Sequence, residues 1–300
     1  ILCALKRLRH YAEIRDIGLF DETGYLSRGE HLTWQTLPGA DYSPLYLSWY
    51  KFLSRFIHDN ALLYDVNHAV LTTLIALGIY LVLRRSAVGP FLAAGTAFFY
   101  LLSFNVIIWP HVTFFALALL LLILLIASWM KTRSAGAAVI GVGLLLLTYT
   151  RPELFLAFAL FLGLTGLVLL RGWRRREVTW QEIKFPLAAV CIIALAVMLV
   201  FGNPFGSVRS WVAFSQHYAL NRVARQHSAL NPWQHHARIT DADFHGARSI
   251  TRALQANPRA FAQHVLSNLQ RYPLHAAVIW VVYLDGVREE GGRRAGGIGA

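Results

Sequence analysis

Long uncharged stretches dominate the chain and predict helices that cross a membrane. A spanning helix takes about 20 apolar residues, and the stretch 88–130 contains no Asp, Glu, Lys or Arg, which leaves room for two helices. The stretch 136–170 has charges only near its middle and also predicts two helices. Single spans at 66–83 and 185–201 bring the total to six, and the shorter apolar segment 275–284 is interpreted as an incomplete span.

Two turns divide the long stretches. Trp109, Pro110 and His111 mark the first turn, because proline has no backbone N–H to donate and disfavours a helix that continues through it. The second turn is the sequence TRPE at 150–153, because an arginine at the centre of a spanning helix costs roughly 2.5–3.5 kcal/mol.

Short basic connections predict which side of the membrane each loop faces. The connections at 84–85, 131–133 and 171–184 are separated from one another by two predicted spans each, so all three face the same side. By the positive-inside rule that side is the cytoplasm. The extracytoplasmic side then receives residues 1–65, both turns, and the loop 202–273.

These elements predict an all-α, polytopic transmembrane helix bundle whose extracytoplasmic loops carry interfacial helices. We expect a first external loop over 1–65, a six-span core over 66–201, a large and partly helical external loop over 202–274, and an incomplete span with an irregular tail over 275–300. The chain starts at Ile1 without a signal peptide, and we interpret it as a fragment in which the position of a first span is open.

Composition agrees with a membrane protein. The chain is 56% hydrophobic and 15% charged, whereas a soluble domain is about 45–50% apolar and about 25% charged. The formal net charge of +12 does not indicate nucleic acid as a partner, since no basic, aromatic-rich stripe lies on a polar domain. Cys3 and Cys191 are far apart and predict neither a disulfide framework nor a cysteine metal site.

A helix on the external surface is predicted at 44–58. Aromatic and leucine side chains recur on one of its faces and polar side chains lie opposite. The apolar face comprises Leu45, Trp49, Phe52, Leu53 and Phe56, and the polar face comprises Ser48, Lys51 and Arg55. The aromatic content favours a helix that lies in the interface of the outer leaflet. The alternative is a packed helix of a small extracytoplasmic domain.

The acidic pair Asp21 and Glu22 lies in the first external loop. A carboxylate shielded by lipid and protein can accept a proton from a hydroxyl group as a general base. Most carboxylates in loops are simply solvated. The residues alone leave both interpretations open.

Three short motifs, in their order along the chain, resemble the GT-C membrane glycosyltransferases, in particular the family 39-like branch of protein O-mannosyltransferases and aminoarabinose transferases. The Asp-Glu-x-x-Tyr element of that family corresponds to Asp21, Glu22 and Tyr25 in GLFDETGYLSRGEHL. Its small-Pro-apolar start of a juxtamembrane helix corresponds to 43–45, and the turn 150–153 follows. The resemblance covers roughly residues 15–200.

The resemblance implies inverting transfer of a sugar from a polyprenyl-phosphate donor to a hydroxyl group of a lipid, glycan or protein acceptor. The reaction would take place at the extracytoplasmic face of the plasma (bacterial inner) membrane. Asp21 would act as the base, Glu22 would shape the site or hold a metal, and Tyr25 would contact the substrate. Many members carry a second acidic residue in the loop of His111. Its absence here argues against the divalent metal cofactor that Glu22 could otherwise help to hold.

The two turns contribute further candidate substrate-binding residues. Arg151 lies at the depth of the donor phosphate, where it can either stabilise the departing phosphate or pair with Glu153 and hold the turn. His111 can contact a substrate or ligate a metal, or it can be an interfacial histidine bonded to its neighbours.

Other functions remain as alternatives. A lipid-linked sugar flippase or transporter also combines a polytopic bundle with a few charged residues, although its binding groups usually lie near the middle of the bilayer. A ligase or polymerase of surface glycans would use an external loop in a similar way. Membrane lipids are expected partners in every case.

The loop that starts at 202 is rich in histidine but predicts no zinc site, since no His-x-x-x-His spacing occurs. We expect Asp241 and Asp243 to be solvated. Asn257 and Pro258 predict the N-cap and the first residue of a helix. The apolar positions of that helix are Phe261, Val265 and Leu269.

Overall fold

The computed structural model describes residues 21–37, 43–102, 110–176, 179–202 and 208–270, except for the side chains of residues 153, 182 and 208–210. Within these ranges the regular structure is helical and contains no strand. The described residues up to Gly202 form one compact unit, and those from Val208 form a second. The predictions for residues 1–20, for Trp109 and for the segment 275–284 lie outside the described residues.

The described part of the first unit contains eight α-helices. They are α1 (Asp21–Glu30), α2 (Pro44–Ser54), α3 (Asn60–Arg85), α4 (Pro90–Leu102), α5 (Val112–Ser128), α6 (Arg133–Thr148), α7 (Phe155–Arg174) and α8 (Trp180–Phe201), with a 3-10 turn at Pro152–Leu154. Each of the six predicted spans corresponds to one of the helices α3 to α8. Pro110 and His111 are not helical and precede α5, and the turn at 150–153 separates α6 from α7.

Three of these helices are long and apolar enough to cross a membrane, namely α3, α7 and the part Ile183–Phe201 of α8. Helices α4, α5 and α6 are also apolar but have 13, 17 and 16 residues. A span takes about 20 residues. Length and composition therefore support three of the six predicted spans.

Two helices extend beyond the predicted spans for local reasons. Helix α3 begins at Asn60 because Asp59 caps it, with its side chain accepting a hydrogen bond from the backbone N–H of Leu62 at 2.7 Å. Helix α8 begins at Trp180 and continues through Pro186, although a proline removes one helical hydrogen bond. A count of apolar residues does not locate such helix ends.

Hydrogen bonds join helix ends at both extremes of the first unit. At the end predicted to be cytoplasmic, the Arg85 guanidinium donates to the carbonyl of Ser128 at 2.7 Å and joins α3 to α5. At the opposite end, the Tyr149 hydroxyl donates to the carbonyl of Gly202 at 2.8 Å and joins the end of α6 to the end of α8. Both contacts agree with the alternating helix directions that the basic connections predict.

Helix α2 is the helix predicted at 44–58, but the face that it buries differs from the predicted one. Its buried side chains include Tyr46, Leu47, Tyr50 and Leu53. Phe52 and Phe56 are exposed, as expected for an outward aromatic face. The assignment of Leu53 to that outward face was wrong, because the tyrosine side of α2 packs towards a polar partner on α1.

Helices α1 and α2 approach each other closely at Gly29. A Cβ atom at this position would lie 2.5 Å from the Cβ of Tyr50 and 3.0 Å from the carbonyl oxygen of Leu47. Gly24, earlier on the same helix, has no atom of the described residues within 4 Å of such a Cβ. The absence of a side chain at Gly29 therefore sets the spacing of α1 and α2.

The second unit packs its helices around Phe214. It contains α9 (Val208–Gln226), α10 (Pro232–Phe244), α11 (Ile250–Ala256) and α12, which covers residues 258–270. The ring of Phe214 contacts the rings of Trp211, Tyr218, Phe244 and Phe261. The predicted external loop is thus a helical unit with an aromatic core of its own.

The two aspartates of this unit form ion pairs and are not simply solvated. Asp243 accepts hydrogen bonds from Arg222 Nε at 2.7 Å and from the Tyr218 hydroxyl at 2.5 Å, which joins α10 to α9. Asp241 pairs with Arg248 at 2.8 Å. The expectation of solvated aspartates was wrong because their cationic partners lie on neighbouring turns and helices.

The predicted start of α12 is confirmed. The Asn257 side chain accepts a hydrogen bond from the backbone N–H of Ala260 at 3.0 Å, as an N-cap does. Phe261 packs into the aromatic core, whereas Val265 and Leu269 are exposed.

Gly29→Ala and Gly24→Ala provide a matched pair of variants on one helix. We expect Gly29→Ala to lower the free energy of unfolding by about 1–3 kcal/mol, because the added methyl group overpacks the contact with Tyr50 and Leu47. Gly24→Ala should leave stability unchanged or raise it, since alanine favours a helix over glycine by about 1 kcal/mol. Thermal unfolding in mild detergent measures both. Equal stability of the two variants would contradict the role given to Gly29.

Candidate functional site

Three of the predicted site residues come together at one end of the first unit. Asp21 is exposed in the first turn of α1, His111 precedes α5, and Arg151 lies in the turn after α6. Burial lowers the pKa of His111, the positive charge of Arg151 lowers it further, and the negative charge of Asp21 opposes both. Contacts agree with this placement: Tyr46 bonds Glu22, next to Asp21, and its ring lies 5.2 Å from that of Phe115 near the start of α5.

His111 is the N-cap of α5, and this role determines its tautomer. Its Nδ1 atom accepts a hydrogen bond from the backbone N–H of Thr113 at 3.2 Å and lies 2.6 Å from the Thr113 hydroxyl oxygen. A nitrogen that accepts from a backbone N–H carries no proton, so the hydrogen of the neutral ring resides on Nε2. The lowered pKa favours this neutral form. His111 thus offers an Nε2–H donor at the end of the helix.

The turn that carries Arg151 is attached to the start of α2. The buried Ser43 hydroxyl donates to the carbonyl of Thr150 at 2.6 Å, and the backbone N–H of Leu45 donates to the carbonyl of Tyr149 at 3.4 Å. Ser43 has a left-handed backbone with φ of 47°, which is uncommon for a residue other than glycine. These contacts connect the segment 43–45 to the turn 150–153, the two motifs whose order supports the family resemblance.

Glu22 is buried beside this region, with only 2% of its surface exposed. Its Oε1 atom accepts hydrogen bonds from the hydroxyl groups of Tyr46 and Tyr50, the latter at 2.5 Å. The two tyrosines are four residues apart, so both hydroxyl groups leave the same face of α2. Glu22 is thus a buried link between α1 and α2, in contrast to the exposed Asp21 next to it.

A longer chain of hydrogen bonds continues from Glu22. The Tyr46 hydroxyl accepts from Asn67 Nδ2 at 2.9 Å, and Asn67 Oδ1 accepts from the indole N–H of Trp49 at 2.7 Å. The chain connects α1, α2 and α3 within a largely apolar core. We call Glu22, Tyr46, Tyr50, Asn67 and Trp49 the Glu22 network.

The environment of Glu22 favours its neutral form. Burial raises the pKa of Glu22, the hydrogen bonds from Tyr46 and Tyr50 lower it, and the negative charge of Asp21 raises it. The net result is a pKa of about 7. Burial also raises the pKa of both tyrosines well above the usual range, so their hydroxyl groups remain donors. Near neutral pH the buried Glu22 is therefore partly protonated.

The remaining predicted site residues do not gather at the exposed site. Tyr25 is 2% exposed, and its ring lies 5.4 Å from that of Tyr46 in the core, so it is placed to support the Glu22 network rather than to contact a substrate directly. The backbone of Glu153 lies in the 3-10 turn, and its side chain is outside the described part of the structure.

Sequence reasoning missed Tyr46, Tyr50 and Asn67. The tyrosine pair carried a signal, because its four-residue spacing aligns two hydroxyl groups on one helix face. Asn67 carried a weaker one, as a polar residue early in an apolar span. The sequence did not show that both tyrosines bond to Glu22, or that Asn67 joins them through Tyr46.

The candidate residues were also tested as ligands of a divalent metal. In the ranges that the structure describes, no three side chains of His, Cys, Asp or Glu are grouped closely enough to hold a metal ion. Glu22 is buried with its Oε1 engaged by two hydroxyl groups, and His111 Nδ1 is engaged by Thr113. The described side chains among the candidates therefore do not form a site for a metal ion.

Glu22→Gln tests the raised pKa. The folded state binds the Glu22 proton more tightly than the unfolded chain, whose pKa is near 4.5. The stabilisation is therefore present below pH 4.5 and is lost as the pH rises to about 7, with an upper limit of about 3 kcal/mol. Glutamine still accepts from the tyrosines but does not titrate, so we expect this pH dependence to disappear from thermal unfolding measured between pH 4.5 and 7.5.

Glu30→Gln, at the other end of α1, is the matched control and should keep the wild-type pH dependence. An unchanged pH dependence in Glu22→Gln would contradict the raised pKa.

Comparison with known proteins gives no relative for this chain: no protein-family model, no curated protein and no solved structure matches it.

Proposed function

We propose that the first unit is a polytopic membrane bundle whose site lies on the extracytoplasmic side. Helices α7 and α8 bury almost none of the side chains in their apolar stretches, and exposed residues such as Leu164 and Leu199 would be unfavourable in water. A bilayer supplies the missing apolar environment. The basic ends of α3 and α7 then face the cytoplasm by the positive-inside rule, and Asp21, His111 and Arg151 face outwards.

Within this bundle we propose a glycosyltransferase that uses a polyprenyl-phosphate sugar donor. The observation that carries the proposal is that buried contacts bring the start of α1, the start of α5 and the turn of Arg151 to one end of the helices. The arrangement suits a displacement that needs a base on one reactant and positive charge on the other. The family resemblance supports the same chemistry.

The reaction is a direct displacement at the anomeric carbon of the sugar. Asp21 accepts the proton of the acceptor hydroxyl while the hydroxyl oxygen forms a bond to the anomeric carbon. The bond between that carbon and the phosphate oxygen breaks, and polyprenyl phosphate leaves with the electron pair. Arg151 and the Nε2–H of His111 stabilise the negative charge on the phosphate. A single displacement inverts the anomeric configuration.

Glu22 serves this reaction as a positioning residue. Its hydrogen bonds to Tyr46 and Tyr50 fix α1 on α2 and thereby hold Asp21 in place. Its partial protonation near pH 7 reduces the repulsion that a second carboxylate would exert on Asp21. Asp21, the exposed member of the pair, is the base of the proposed reaction.

Asp21→Asn tests the proposed base. Asparagine keeps the size of the side chain but cannot accept the proton, so we expect sugar transfer to fall by about 100-fold or more. The measurement is transfer from a radiolabelled polyprenyl-phosphate sugar to an acceptor extract by the full chain in proteoliposomes. Glu30→Gln removes a carboxylate from the same helix and should retain activity. Full activity of Asp21→Asn would exclude Asp21 as the base, and translocation of the donor without transfer would favour a flippase.

His111→Asn separates the cap from the proposed phosphate contact. Asparagine is a good N-cap, so the stability of α5 should be retained, whereas the shorter side chain loses the outward Nε2–H. We expect transfer to fall by about tenfold, corresponding to about 1.4 kcal/mol for one hydrogen bond to a charged group. Wild-type activity together with wild-type stability would limit His111 to capping.

A further inference from the structure

The outward side of α2 combines cations with exposed aromatic rings. Trp34 is 80% exposed, Phe52 50% and Phe56 70%, and the rings of Phe52 and Phe56 are 5.3 Å apart in an edge arrangement. Large exposed aromatic side chains beside polar groups are typical of surfaces that meet a membrane interface. We call Trp34, Phe52 and Phe56 the outer aromatic surface.

A pocket of about 250 Å³ opens beside this surface, between α2 and the turn that follows α1. Lys51 and Arg55 line it one helical turn apart, together with Thr33 and Ser48. The Lys51 ammonium is held by donation to the carbonyl of Glu30 at 2.6 Å. No acidic side chain lines this pocket in the described part of the chain. Two cations without an anion fit a negatively charged group that accepts hydrogen bonds.

An apolar groove of about 230 Å³ begins next to the pocket and runs between α3 and α5. On α3 it extends from Leu71 to Leu81, a length of about 15 Å at 1.5 Å per residue, which is about half the 30 Å hydrocarbon thickness of a bilayer. Trp49 lines the groove, Phe52 lines the pocket, and their rings stack at 5.9 Å. The pocket and the groove therefore lie next to each other across these two rings. We call the two together the path, which leads from cationic to apolar side chains.

We propose that this path binds one anionic glycerophospholipid of the outer leaflet. The phosphate lies between Lys51 and Arg55, the outer aromatic surface lies at headgroup depth, and one acyl chain lies in the groove between α3 and α5. Charge complementarity favours an anionic headgroup over a zwitterionic one. The acyl chain matches the groove because the residues that line the groove are apolar.

The lipid site is separate from the site proposed for sugar transfer and goes beyond it. Ser43, which is attached to the turn of Arg151, precedes the first turn of α2, whereas Lys51 and Arg55 lie at its last turn and just beyond. The 11 residues of α2 separate the two sites by about 16 Å. The bound phospholipid is a structural partner that holds α2 at the membrane, and it is not the sugar donor.

The test is lipid binding to the full chain, purified in detergent and stripped of lipid. Native mass spectrometry measures the affinities for phosphatidylglycerol and for phosphatidylcholine. Both lipids carry the same acyl chains of about 18 carbons, long enough to reach through one leaflet. We expect phosphatidylglycerol to bind about tenfold or more tightly than phosphatidylcholine, and the double variant Lys51→Gln/Arg55→Gln to lose this preference. Phosphatidylglycerol with six-carbon chains should bind more weakly, because it fills less of the groove.

The control is Lys131→Gln/Arg133→Gln, which removes the same charge from two exposed positions, one before α6 and one at its first residue, and should keep the preference. Equal binding of phosphatidylglycerol by wild type and Lys51→Gln/Arg55→Gln would overturn the proposal, as would equal affinity for both chain lengths. Displacement of the bound lipid by a polyprenyl phosphate would also overturn it, since the path would then hold the donor. Sugar-transfer activity is not part of the readout, so the outcome is independent of the proposed reaction.

Discussion

The packing of the first three helices depends on a carboxyl group that is almost completely removed from water. Desolvation of an ionised carboxylate is unfavourable by several kcal/mol, and Tyr46 and Tyr50 compensate for part of this by donating two hydrogen bonds to Glu22. The two effects act in opposite directions on the pKa, which burial raises and the hydrogen bonds lower. The net increase shows that desolvation is the larger effect. Glu22 therefore stabilises the contact between α1 and α2 best when it is protonated.

The same network relates the interior of the protein to its outer surface. Asn67 extends it to α3, and Trp49 extends it to the side of α2 that carries the exposed rings. Asp21 is adjacent to Glu22 on α1, so the position of the proposed base depends on the same contacts. A second attachment, from Ser43 to Thr150, connects the start of α2 to the turn of Arg151. Asp21 and Arg151, from distant parts of the chain, are thus positioned by two sets of buried hydrogen bonds.

The apolar helices and the turns at Pro110 and at 150–153 could be predicted from the sequence. Both depend on patterns that extend over many residues, namely long uncharged stretches and the basic or proline-containing connections between them. The burial of Glu22 could not be predicted, since its tyrosine partners lie 24 and 28 residues away and nothing local distinguishes it from Asp21. The inward face of α2 was misassigned for the same reason. Aromatic content indicated a lipid-facing side, whereas a polar contact determines which side is buried.

Folding of this end of the protein takes up a proton. In the unfolded chain Glu22 has a pKa near 4.5 and is ionised at pH 7, whereas in the folded protein its pKa is about 7. Each chain that folds at pH 7 therefore binds about half a proton at this position. Docking of α1 on α2 is thus coupled to the proton concentration around the two helices, and acidification favours the assembled state.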